Sequence, residues 1–152
     1  MSIIKPEESK VRDPLINGFS YDEIEVGDVA YFAKTISEHD VYSFAGITGD
    51  FNPAHVNHQD SEKKRFHQRI SHGVLSGGLI SAALGTRLPG EGTLYVSQFT
   101  KFVRPVKFGD TLTVRLEVTE KIEAKRRVKI KTEVFNQNDE LVTTGEAEML
   151  PK

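Results

Sequence analysis

The chain has 152 residues, no cysteine and a formal net charge of −2. That length predicts one domain whose core stands without metal or disulfide staples; the missing cysteines exclude thiol catalysis and thiolate metal sites, and the charge gives no reason to expect nucleic-acid binding. No apolar run reaches the roughly 18 residues of a membrane span, the start MSIIKPEESKVRD lacks the apolar core of a signal peptide, and the end EMLPK carries no lipidation signal, so a soluble cytoplasmic protein is expected.

Residues 1–18 are polar, with Pro6 and Pro14, and are predicted to lie over the surface as an extension; residues 19–152 form the domain. Ser20 and Glu23 have the spacing of a capping box over one helical turn. Gly27 and Asp28 mark a turn, and residues 29–37 read as a strand rich in β-favouring side chains. Ser37 then caps a helix over 38–48, in which Val41, Phe44, Ala45 and Thr48 recur at helical spacing. That helix ends near Asp50, because Pro53 fixes its own φ and pushes Asn52 out of the α region.

Residues 58–69 are rich in charge and predict a surface loop with a short helix. Residues 73–86, GVLSGGLISAALGT, carry no charge at all. Leu75, Leu79, Ala82 and Ala83 keep helical spacing, and small or apolar residues occupy the whole wheel, which predicts a helix buried on every side. Internal glycines each cost about 1 kcal/mol relative to alanine, so Gly77, Gly78 and Gly85 are expected where other backbone comes close. Four strands follow: one over 93–106, one in which Leu112, Val114, Leu116 and Val118 alternate with polar residues, one in which Val128, Ile130, Thr132 and Val134 do the same, and a last over 141–149 with a bulge expected at Gly145. Periodicity alone therefore predicts an α+β domain with an antiparallel sheet.

The chemistry concentrates between Ser43 and Ser61. Asp50 precedes His55 by five residues, with Asn52 and Pro53 between them. A turn there brings a carboxylate and an imidazole to one cavity, and their reference pKa values of about 3.9 and about 6.5 suit an acid–base pair near neutrality. The bland alternative is that Asn52 simply caps the next helix. Further on, Gly73 opens the uncharged helix directly after His72. The first N–H groups of a helix lack internal partners and its dipole favours negative charge, so the Gly73 N–H suits a developing oxyanion; a plain loop-to-helix turn is the alternative. His39, His58 and His67 lie in polar surroundings and are expected to be exposed. No cluster has metal-ligand spacing, and neither a metal nor a cofactor is expected.

Phe44, Ile47, Thr48, Gly49, Asp50, Asn52, Pro53, His55 and Ser61 together resemble the signature of the MaoC-like, R-specific enoyl-CoA hydratases, or type-two hydratases, with Ala54 standing where that family carries a larger aliphatic residue. The resemblance covers residues 20–150. It implies a hot-dog fold, a curved antiparallel sheet wrapped around one long buried helix. It implies a lyase of fatty acid metabolism that reversibly hydrates trans-2-enoyl-CoA to (R)-3-hydroxyacyl-CoA. It assigns catalysis to Asp50 and His55, with the Gly73 N–H as oxyanion donor. Asn52 then holds the turn or the site water, and His72 orients the loop or caps the helix. Ser81 bonds the catalytic carboxylate or its own helix. Leu84 is the candidate limit on acyl length, and Lys101 and Arg104, with Lys107, Arg126 and Arg127, are candidates for the coenzyme phosphates. A homodimer or higher homo-oligomer is expected. A 3-hydroxyacyl-carrier-protein dehydratase, a thioesterase on the same fold and a non-catalytic acyl-thioester binding subunit remain as alternatives.

Overall fold

The computed structural model describes residues 16–152; the expected extension falls mostly outside the described residues. A five-stranded antiparallel sheet has the order β1-β3-β4-β5-β2, built from β1 (Val29–Thr35), β2 (Leu94–Phe102), β3 (Thr111–Ile122), β4 (Arg127–Phe135) and β5 (Leu141–Leu150). The alternation read from the sequence is the observed one: Leu112, Val114, Leu116 and Val118 of β3 face the core, as do Val128, Ile130, Thr132 and Val134 of β4, with Val114 opposite Val134 and Val118 opposite Ile130.

Four α-helices lie between β1 and β2: α1 (Glu38–Thr48), α2 (Pro53–Val56), α3 (His58–Glu62) and α4 (Gly73–Thr86). α4 packs against β1, β3, β4 and β2. Five strands about 4.8 Å apart span about 19 Å, whereas a helix is about 10–12 Å wide. One helix reaches both edge strands only if the sheet curls around it, which is the hot-dog arrangement. Ile80, Ala83 and Leu84 of α4 are fully buried against the inward rows of the sheet.

Two expectations about glycine are corrected. α4 is not buried on every side of this chain: Val74 is 56% exposed, and Gly78, Ser81 and Gly85 continue the same open face. A Cβ on Gly77, Gly78 or Gly85 would meet nothing within 4 Å, so among the described residues no other segment's backbone approaches them. The close approach lies elsewhere. A Cβ on Gly145 would sit 1.9 Å from the Phe99 carbonyl oxygen, yet Gly145 pairs regularly with Thr100 and Thr132. β5 is irregular at Val142 instead, between the Val134–Thr143 and Phe135–Leu141 pairs, and β2 between Tyr95 and Ser97. β2 also stops at Phe102, short of the predicted end. Among the described residues it is an edge strand with nothing paired on its outer side, and Leu94, Phe99 and Phe102 stand 62%, 69% and 49% exposed.

Candidate active site

α1 begins on Ser37, whose hydroxyl accepts the Asp40 N–H at 3.1 Å, and ends on Gly49 at φ 79°. Glycine adopts that left-handed cap without a Cβ clash. The cap donates its N–H to the Ala45 carbonyl at 2.8 Å and turns the chain off the helix, leaving Asp50 beyond its end. Asp50 Oδ1 accepts the Asn52 N–H at 3.2 Å, and Asn52 Oδ1 accepts the Ala54 N–H at 3.0 Å. Asn52 is thus the cap of α2, with Pro53 at its first position, where a missing N–H costs nothing. The buried Ser61 hydroxyl bonds the carbonyls of Pro53 and Asn57, tying α3 back onto α2.

His55 is oriented by main chain fifteen residues away. Its Nδ1 lies 2.7 Å from the Ile70 carbonyl oxygen. A carbonyl only accepts, so Nδ1 carries the hydrogen and Nε2 is the nitrogen left for a ligand. The Ile70 N–H in turn bonds the Ala54 carbonyl at 3.1 Å, which lays the 69–71 segment along α2.

His72 is 1% exposed. Its Nε2–H donates to the Asp50 carbonyl oxygen at 2.9 Å, while its Nδ1 is buried without a partner. The ring stacks on His55, centroids 3.8 Å apart and planes 32° apart, and meets Phe44 on its other side at 4.8 Å. Its position is that of a support beneath the Asp–His turn. One ligand-type atom from each of Asp50, His55 and His72 falls within 4.8 Å of the others. Each ring has already given one nitrogen to a carbonyl, which leaves His55 Nε2 and the buried His72 Nδ1. The arrangement suits a water between Asp50 and His55 better than an ion.

Gly73 follows as the first residue of α4, and among the described residues nothing accepts its N–H. The nearest side chain is Phe102, whose Cδ1 lies 3.2 Å from where a Cβ would stand. A cavity of about 480 Å³ opens here, touching the site at Ile70, Ser71 and Gly73 and bounded outward by Arg65, Phe102 and Arg104. A smaller one, about 160 Å³, lies on the far side of Phe44 between Ile47, Leu75 and Leu79.

The fold therefore brings Asp50, Asn52, His55, His72 and Gly73 together. It does not bring Ser81 to them: that side chain is on the exposed face of α4, and among the described residues no hydrogen bond joins it to Asp50. Leu84 is fully buried in the core and lines neither cavity. Arg104 borders the larger cavity, bonded to the Leu141 carbonyl and 3.5 Å from Glu140, whereas Lys101 lies on β2 outside it. Arg126 and Arg127 are paired with Asp22 and Glu148. His39, His58 and His67 are exposed, as expected. The Ile70 carbonyl was invisible beforehand, since no side-chain pattern marks a main-chain acceptor.

Comparison with known proteins shows what the chain as a whole is similar to. Residues 25–140 match the family model described as MaoC like domain. An (R)-specific enoyl-CoA hydratase of Rhodospirillum rubrum is 46% identical over 86% of this chain and 90% of its own length. A 3-hydroxybutyryl-CoA dehydratase of Methylorubrum extorquens is 42% identical over 88% and 85%. Among solved structures, the unliganded R-hydratase PhaJ1 of Pseudomonas aeruginosa superposes with a TM-score of 0.84 at 48% identity, covering 88% of this chain and 86% of that one.

Proposed function

The chain belongs to the MaoC-like domain family, and from that premise we propose that it is a hydro-lyase adding water reversibly to a trans-2-enoyl-CoA to give the (R)-3-hydroxyacyl-CoA. The observation that carries this reading is a half-exposed Asp50 carboxylate with an oxygen within 4.8 Å of a ring nitrogen of His55, whose Nδ1–H is tied to Ile70, beside a Gly73 N–H that nothing among the described residues accepts. In the hydration direction Asp50 takes a proton from the water as its oxygen bonds the β-carbon. The electron pair of the double bond moves onto the thioester oxygen, and the Gly73 N–H and the α4 dipole stabilise that enolate. The Nε2–H of an imidazolium at His55 then delivers the proton to the α-carbon. Asp50 ends protonated and His55 neutral, and a proton passed from one to the other resets the pair.

Asn52 and His72 hold the turn in which these groups sit. The cavity beside Gly73 receives the pantetheine arm, with Arg104 at its mouth for the coenzyme phosphates; Lys101, further out on β2, has the weaker claim. Leu84 acts on acyl length only through core packing, given its burial.

A second copy of the chain is the expected cover for the open side of the molecule. The outer edge of β2 is an unpaired row of main-chain groups beside exposed Leu94, Phe99 and Phe102, a surface proteins rarely leave bare. The small face of α4, with open space beyond Gly78 and Gly85, leaves room for the same partner, against which Ser81 would lie. Among the described residues no helix is long and apolar enough to cross a membrane.

The test is the ultraviolet absorbance of crotonyl-CoA with the purified protein, run beside a thiol-detecting dye. Loss of the enoyl band without thiol release, giving a product oxidised only by an R-specific dehydrogenase, is the expected result. Thiol release identifies a thioesterase. Activity only on the carrier-protein thioester identifies the dehydratase alternative.

A further inference from the structure

Arg69 stands one residue before the carbonyl that orients His55. Its Nη1 donates to Glu38 Oε1 at 2.5 Å and to the Tyr42 hydroxyl oxygen at 3.0 Å, both acceptors lying one turn apart on α1. The guanidinium carbon lies 4.8 Å from the Phe108 ring centroid, within the range of a cation–π contact. Tyr42 then carries the link onward, because its hydroxyl donates to the Val56 carbonyl at 3.0 Å. Val56 is the residue after His55 and Ile70 the residue after Arg69. One guanidinium therefore bears on both sides of the imidazole: on the end of α2 through Tyr42, and on the Ile70 carbonyl through the chain.

We propose that Arg69, acting through Tyr42, is a positioning residue for His55: it anchors the 69–71 segment to α1 so that the Ile70 carbonyl meets Nδ1–H and leaves Nε2 for the reaction. An isolated surface ion pair does little. Arg69 differs in that its side chain is only 20% exposed and shares three neighbours, Glu38, Tyr42 and Phe108. A hydrogen bond to a carbonyl weakens steeply with distance and angle. If the segment moves off α1, His55 loses the acceptor that selects its tautomer, and the proton distributes over both ring nitrogens. A ring freed from Ile70 no longer aims Nε2 and its proton at the substrate.

The kinetic arm of the test rests on the hydratase reading; the spectroscopic arm does not. Nitrogen-correlated NMR of the histidine rings reads the His55 tautomer directly, with no substrate present. In Arg69→Met we expect the His55 signals to leave the pure Nδ1–H pattern of the wild type. With crotonyl-CoA we expect kcat to fall about 10- to 100-fold, the scale of a small misplacement of a reacting group, with KM changed less than about twofold. Arg69→Lys, which keeps a charge and one donor, recovers part of the loss. Should Arg69→Met not fold, Tyr42→Phe removes a single hydroxyl and is read in the same spectrum. A wild-type His55 pattern in a folded Arg69→Met, or in Tyr42→Phe where that variant must be used, overturns the proposal. So does a loss confined to KM. An altered tautomer in a protein inactive on every enoyl thioester sustains the positioning role and removes the hydratase reading instead.

Discussion

The His72 imidazole lies 3.8 Å from that of His55 and donates its Nε2–H to the main-chain carbonyl of Asp50, so one buried side chain touches both residues of the proposed acid–base pair. His72→Phe keeps an aromatic ring in the stack and removes the donor. The Asp50 carbonyl then loses its partner, at a cost of about 1–3 kcal/mol, and the turn loosens. We expect a lower midpoint in chemical denaturation and a kcat reduced about 10- to 100-fold with KM nearly constant. Wild-type kcat in this variant contradicts a supporting role for His72.

Asp50→Asn keeps the size of the side chain and an oxygen for the Asn52 N–H, which Asp50 Oδ1 accepts at 3.2 Å. It removes the base. Turnover should drop by about 10²- to 10⁴-fold, the span of general acid–base contributions, while calorimetry with 3-hydroxybutyryl-CoA still finds binding. Surviving turnover would place the proton abstraction elsewhere.

Gly73→Ala places a methyl 3.2 Å from Phe102 Cδ1, where both residues line the larger cavity. Reduced kcat/KM with little change in thermal midpoint is expected. Adding Phe102→Leu removes the atom that the methyl meets and should recover part of the activity. A double variant no better than the single one would mean that the methyl obstructs the substrate and not the ring.

Asp40, in the first turn of α1, accepts the Ser37 N–H at 2.8 Å and the Lys34 ammonium at 2.9 Å. These contacts, the backbone N–H foremost, hold its carboxyl down to about 2 from the usual 3.8. The folded value lies below the unfolded one, so on acidification the unfolded chain binds this proton first. The contribution to stability is complete above about pH 4 and is lost as the pH falls towards about 2. With 22% of the side chain exposed, solvent screening leaves about 1 kcal/mol. Stability measured against pH for the wild type and Asp40→Asn should differ by about that amount at neutrality and converge through this window. Parallel curves would show that the cap contributes nothing.

Phe99 is 69% exposed on the free side of the sheet, at β2. Phe99→Glu should shift the protein to a smaller sedimenting species if a second copy pairs there. An unchanged sedimentation coefficient for a wild-type oligomer would move the interface off β2.

Much of this was legible beforehand, for a physical reason that differs by element. α1 and α4 were read to within a residue because Ser37, Pro53 and the charge-free run are local signals acting on their own neighbours. β3 and β4 were read because one buried face imposes a period of two. The Asp–His turn was read because proline and the Asx side chains act over two or three residues. β2 was read too long, since its end is set by pairing with β5, which stops at Phe102 opposite Thr143.

By itself, the sequence determined where the helices start and stop, which side chains face the sheet's core, and that Asp50, His55 and Gly73 flank a turn and a helix entry. Only the tertiary structure decided which nitrogen of His55 is free, that His72 lies beneath the pair, that Arg69 reaches α1, and that the glycines of α4 face open space while Gly145 meets the Phe99 carbonyl. The first set follows from forces between residues a few positions apart, which leave a period or a cap in the order of the letters. The second follows from contacts across fifteen residues or more, many of them to main-chain carbonyls, and a carbonyl is the same group at every position of the chain.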